Sequence, residues 1–199
     1  MKQEKAAAKL IPQIKRLTYE EILVLLDTKK PDCFKKVIFP EVSLKDENFA
    51  EYDFSVTNLS KVCLINCNLS KANLSSAILT EANLSHADLA KANLSHAKID
   101  NCNLSSANLS YADLTAADLS GAILIEANLS NVQLDTCILS NINLRYANLT
   151  NASLNKYCLN GADLYCAFVI ASGKKEIIKR SNFEKLFKFE LPEDVFIFD

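Results

Sequence analysis

The chain has 199 residues, 49% of them hydrophobic, with 22 basic and 24 acidic side chains and a net charge of −2. That is the length of one domain with enough apolar residues for a core, and it offers no positive excess for bulk DNA, RNA or an anionic membrane. Seven cysteines at spacings that fit no zinc template, and no run of the ~18 apolar residues a membrane span needs, make a reducing, cytoplasmic setting the expectation.

The N-terminal MKQEKAAAKLIPQIKRL lacks the apolar stretch of a secretory signal. A short helix is expected before Pro12. Thr18-Tyr19-Glu20-Glu21 then matches a capping box, with Glu three residues after Thr. Ile22, Leu23, Leu25 and Leu26 follow at helical spacing, and Pro31 ends the helix. Residues 1–33 are read as an N-terminal helical cap.

From Leu59 to Leu164 the chain repeats every five residues through 22 consecutive centres, all Leu except Ile99. The phase runs back, more weakly, through Phe54, Phe49, Leu44, Phe39 and Phe34, and forward to Val169, so the repeat region spans 34–169 and is strongest over 57–166. Two residues before each centre stands a small residue, Ala in 14 of the 22 units, with Cys67, Cys102 and Cys137 among the substitutes. The position before the centre favours Asn or Asp, the one after favours Ser or Thr, and the next varies freely. In extended backbone alternate residues share a side, so the small residue and the Leu point inward together. The other three positions face water and make a bend, for which Asn, Asp and Ser are suited because they hydrogen-bond nearby backbone. Such a unit buries its Leu only by stacking, as in a solenoid. The cysteines in the small position read as buried hydrophobes.

Beyond the repeat, Lys174 to Lys188 is expected to be helical, with a break near Asn182 and an apolar face of Phe183, Leu186 and Phe187. The terminal "VFIF" suggests a short closing strand. Residues 170–199 are read as a C-terminal helical cap, because an open β-solenoid end must be covered.

Twenty-two unbroken A(D/N)LXX units resemble the pentapeptide-repeat family. The resemblance implies an all-β solenoid: a right-handed quadrilateral β-helix, four units and twenty residues per coil, with coils stacked at about 4.8 Å. It also implies that an end can pair two copies as a homodimer through a terminal cap. Leucine-rich repeats, calcium-binding β-rolls and coiled coils fail on period or composition.

At twenty residues per coil, His86 and His96 fall on opposite sides and cannot act together. Cys63 and Cys67 point in different directions, so no metal site is expected. The serines sit in corner positions without a usable His, and no Gly-rich phosphate loop is present. The expectation is no enzyme and no cofactor. Some relatives resemble duplex DNA and act on DNA gyrase, which is the alternative reading here. A mimic needs ordered negative charge, yet Asp88, Asp113, Asp118 and Asp163 would fall on four different faces.

The leading reading is a rigid scaffold that binds another protein. One face is uniform at its polar positions. Another carries Ile78, Lys98, Asp118 and Ile138 before its centres, and the next face round from that one carries Ile123 and Ile125, where polar residues are the rule. These six are the candidate partner surface.

Overall fold

The computed structural model describes residues 15–28, 30–155, 158–171, 173–187, 195 and 197. The helix expected before Pro12 lies outside them. Every isolated parallel bridge of the repeat region joins residues twenty apart, as in Ile78↔Lys98, Lys98↔Asp118 and Asp118↔Ile138. Four five-residue units therefore close each coil of a right-handed quadrilateral β-helix.

One unit shows how the sequence builds a side. The Leu79 N–H donates to the Lys98 carbonyl above at 2.7 Å, and the Ile78 N–H to the Thr57 carbonyl below at 2.9 Å. The corner follows at once, with the Ala82 N–H donating to the Leu79 carbonyl at 2.9 Å. Asn or Asp before the centre locks the corner, since its side-chain oxygen accepts the N–H two residues on, as in Ser85 N–H to Asn83 Oδ1 at 3.1 Å. Centres and small positions face inward and form one continuous core. Leu104 and Leu109 are fully buried, as are Cys67 and Cys102, and Cys137 is buried too.

The position two after the centre is chemically free but conformationally demanding. Its φ is positive from Lys36 onward in nearly every unit, between 55° and 66° for the non-glycine residues, and even Val56 adopts it at 60°. This is the left-handed region, costly for a β-branched side chain. Thr136 stays out of it, and there the stack is interrupted. No bridge joins Asp113 to Gln133, and the Ala116 N–H turns to Thr136 Oγ1 at 3.2 Å.

At the N-terminal end the centres other than Leu44 are aromatic. Phe34, Phe39, Phe49 and Phe54 pack with Tyr52 as a buried cluster, with Phe34 and Phe54 stacked at 5.4 Å. Strand β1 (Lys15–Arg16) pairs in parallel with β2 (Val37–Ile38), adding an edge below the first coil. Helix α1 (Tyr19–Thr28) begins with the expected capping box. The Glu21 N–H donates to Thr18 Oγ1 at 3.2 Å and the Thr18 N–H to Glu21 Oε2 at 2.9 Å. Ile22 enters the core and Leu25 and Leu26 pack against it, while Leu23 is exposed.

At the other end the structure departs from the expected helix. Strand β3 (Phe168–Ala171) continues the Asn148 side of the coil and pairs antiparallel with β4 (Lys174–Ile177). Gly173, at φ 75°, serves the reversal. Ladder hydrogen bonds to β3 outweigh the helical preference of the Lys-Lys-Glu segment. Helix α2 (Arg180–Phe187) starts only afterwards. Asn182 does not break it; its amide donates to the Ile177 carbonyl at 2.9 Å and ties α2 to β4. Phe183 is buried and Leu186 and Phe187 pack on the core, as the spacing predicts. Of the "VFIF" segment only Val195 and Ile197 are among the described residues, and Val195 is buried.

Candidate protein-interaction surface

The twenty-residue register turns sequence columns into faces. Ile78, Lys98, Asp118 and Ile138 stack directly over one another. Ile78 is half-buried, Lys98 exposed and Ile138 53% exposed. Asp118 is half-buried and serves its own corner, since its Oδ1 accepts the Ser120 N–H at 3.0 Å and the Ser120 hydroxyl at 2.6 Å. Cys158, the next residue of that column, is buried and adds nothing to the surface. Ile123 (38% exposed) and the half-buried Ile125 lie on the adjoining face.

The corner between these faces is low. At Gly121 a Cβ would sit 2.6 Å from Asn101 Oδ1, so the Asn of one coil folds over the Gly of the next. Gly161 stands in the same relation to Asn141. The alternation Asn101, Gly121, Asn141, Gly161 leaves little side chain standing between Ile138 and Ile123.

Above Ile125 in its column come Arg145 and Tyr165, which the sequence reading did not single out. The Arg145 guanidinium lies 4.8 Å from the Tyr165 ring centroid and 3.7 Å from Asp163 Oδ2. Tyr146, 44% exposed, meets Tyr165 edge-on at 5.9 Å. The sequence signal was present: in "NLRY" an Arg replaces the small polar residue after Leu144, twenty residues from Ile125 and twenty from Tyr165.

The uniform face has a structural use. Asn148 Nδ2 donates to Asn128 Oδ1 at 3.1 Å, Asn128 to Asn108 at 3.2 Å, and Asn108 to Asp88 at 3.0 Å. This ladder repeats along the rod like cross-strand pairs. On the face of Leu114, the interruption at Gln133 leaves an open groove of about 300 Å³ lined by Tyr111, Asp113, Thr115, Asn131 and Gln133.

Among the described residues no group of three or more His, Cys, Asp or Glu could hold a metal ion. Burial pushes the Cys67 thiol up to about 11 and the Cys137 thiol to about 12, and raises the Cys102 thiol as well. The Ser95 and Ser105 hydroxyls donate to the Asn two residues earlier, each at 2.7 Å.

A family model for pentapeptide repeats matches residues 41–75, 67–105, 102–141 and 127–164, more than half of the chain. The chain belongs to the pentapeptide repeat family. Among solved structures it is similar to HetL, a pentapeptide repeat protein involved in heterocyst differentiation regulation in the cyanobacterium Nostoc sp. strain PCC 7120. The identity is 30% over 76% of this chain and 68% of that one, with a TM-score of 0.39. A pentapeptide repeat protein from the thylakoid lumen of Arabidopsis thaliana shares 28% identity over 47% of this chain and 68% of its own, with a TM-score of 0.41. A trypsin-treated variant of QnrB1, a plasmid-mediated fluoroquinolone resistance protein, is 18% identical over 84% and 85% of the two chains, and its TM-score of 0.57 supports the shared β-helix. No curated protein matches the chain. No helix among the described residues of this pentapeptide repeat protein is long and apolar enough to cross a membrane.

Proposed function

We propose that this chain is a non-enzymatic, rigid scaffold that binds another protein through exposed faces of its β-helix. The observation that carries the reading is the exposure of Ile123 and Ile138 on adjoining faces of the rod, at positions where the repeat calls for polar residues, with Tyr146 exposed at a variable corner position nearby. Exposed apolar and aromatic groups in one patch favour a protein contact. The mechanism is preorganisation: each face is pinned to the coils above and below, so docking orders little that was mobile before. The serines act as turn formers, which supports a non-catalytic role. The seven cysteines are all unpaired, which fits a cytoplasmic, reducing setting. A regulatory role parallels the one named for HetL.

The alternative, DNA mimicry toward gyrase, needs an acidic stripe. Asp88, Asp113, Asp118 and Asp163 stand on four different faces in this register, and Asn ladders occupy the regular columns, so the scaffold reading is preferred. Pairing of two copies through a terminal segment is compatible with it. The deciding experiment is cross-linked capture from the source cell, with a gyrase supercoiling assay alongside. Lys98→Glu combined with Ile123→Asp should leave melting nearly unchanged and weaken capture. A stronger effect from Asn108 or Asn128 variants would move the surface elsewhere, and inhibition of supercoiling would favour the alternative.

A further inference from the structure

Arg145 carries five N–H donors, and among the described residues its side chain makes no hydrogen bond. Its contacts are the loose ion pair to Asp163 at 3.7 Å and the face of the Tyr165 ring at 4.8 Å. Asp163 is not free to swing closer, because its Oδ1 accepts the Tyr165 N–H at 2.9 Å and so belongs to the corner. Glu126, the acid in the column below Tyr146, is directed to Ser106, whose hydroxyl donates to it at 3.4 Å. The guanidinium is held against an aromatic face while the donors of its fork remain open to a ligand. A planar, stacked guanidinium of this kind suits a carboxylate taken with two parallel N–H bonds.

The apolar neighbours narrow the ligand further. Ile125 lies one coil below Arg145 in the same column, Ile123 stands two residues before it and is exposed, and Tyr146 closes the side. An Arg and two tyrosines next to the exposed Ile123 and the half-buried Ile125 have the composition of an interface centre. We propose that this patch docks an acidic, aliphatic segment of a partner protein. Arg145 takes an Asp or Glu carboxylate, and a neighbouring Leu, Ile or Val side chain of the partner lies on Ile123 and Ile125. Charge complementarity selects this occupant over a nucleic-acid backbone: Arg145 is a single cation, and among the described residues no row of cations flanks it. The proposal rests on the scaffold reading above and specifies which chemistry that scaffold recognises.

The test uses the full chain and short fluorescein-labelled peptides with a glutamate between leucines, read by fluorescence polarisation at low and high salt. The glutamate peptide should bind saturably and more weakly at high salt. Its glutamine counterpart should bind about tenfold more weakly, as should the glutamate peptide to R145A, R145K or Ile123→Asp, consistent with loss of a charge-assisted hydrogen bond or of the apolar seat. Lys91→Ala, a cation on another corner, should bind as the parent does. Thermal melts establish that each variant is folded. Equal affinity for the glutamine peptide, undiminished binding to R145A, the absence of saturable binding, or displacement by an oligonucleotide would each overturn the proposal. Cross-linked capture separates the two levels. Capture that survives R145A removes this patch and leaves the scaffold reading standing, whereas a parent chain that captures nothing removes both.

Discussion

Lys71 Nζ lies 2.9 Å from Glu51 Oε1, across a separation of twenty residues. The hydrogen bond from Lys71 holds the Glu51 carboxyl below its ordinary range, and Glu51 in turn raises Lys71. The pair is exposed and adds little stability, but it reads out the register. It also shows the choice a stacked column allows. Lys71 has Glu51 below and Lys91 above, and turns to the acid. Lys61, with Glu81 above it in the same column, reaches Glu41 below at 3.7 Å.

Leu104→Ala should destabilise the rod by ~2–5 kcal/mol. Leu104 is fully buried, and coils pinned by hydrogen bonds above and below cannot close over the cavity. Denaturant unfolding measures this, and a loss below about 1 kcal/mol would contradict a rigid core.

Val56→Asn should stabilise the fold by roughly 1 kcal/mol, because Val56 holds a left-handed φ of 60° with an exposed β-branched side chain. Asn tolerates that conformation. An unchanged or lower melting temperature would show that Val56 gains more from packing than it loses to strain.

Thiol labelling at mild alkaline pH should divide the cysteines. Cys33, Cys63 and Cys166 are partly exposed and should react in the native protein. Cys67 and Cys137, whose thiols burial pushes up to about 11 and about 12, should react only after denaturation, together with the buried Cys102. Mass spectrometry of the labelled sites checks the division.

Asp113 is held below the ordinary carboxylate range by hydrogen bonds from the Thr115 hydroxyl at 2.6 Å and N–H at 2.9 Å, with a smaller contribution from His96. A lowered folded-state pKa gives stability that is complete above the unfolded value and lost as pH falls through the folded one. Thr115→Val should therefore raise the Asp113 pKa, measured by NMR titration, and diminish the stability difference between neutral and acidic pH. No movement of that pKa would assign the shift to something other than Thr115.

Removing residues 1–30 should lead to association rather than unfolding of the central rod. Leu17 and Ile22 belong to the core that the aromatic cluster of Phe34 and Phe54 closes, and their loss bares apolar surface and a coil edge. Size-exclusion chromatography with a melt distinguishes the outcomes; a monomer of unchanged stability would make this segment a tether.

The register, the buried Leu and Ala columns and the aromatic first coil were legible because each depends on one inward side chain recurring at a fixed spacing. The capping box at Thr18 and Glu21 was legible for the same local reason. The left-handed corners were not, since Lys, Glu, His and Ser fill them and side-chain variety conceals a backbone requirement. Gly121 becomes intelligible only once Asn101 is seen lying over it. Lys174–Ile177 misled because a local helical preference was outweighed by pairing with β3. Arg145 and Tyr165 escaped notice because each looks ordinary in its own unit, and their stacking appears only when positions twenty apart are read together.

The twenty-residue coil also sets how such a chain can change length. An insertion of twenty residues between Leu104 and Leu124 would lengthen the rod by one layer and return every later side chain to its own column. An insertion of five would keep the local spelling and bury every Leu, yet turn all that follows by a quarter revolution, carrying Arg145 and Tyr146 round the rod relative to Ile78 and Lys98. Two chains of nearly identical composition would then show a partner quite different surfaces, so in this architecture the count of units, as much as their content, encodes what can be recognised.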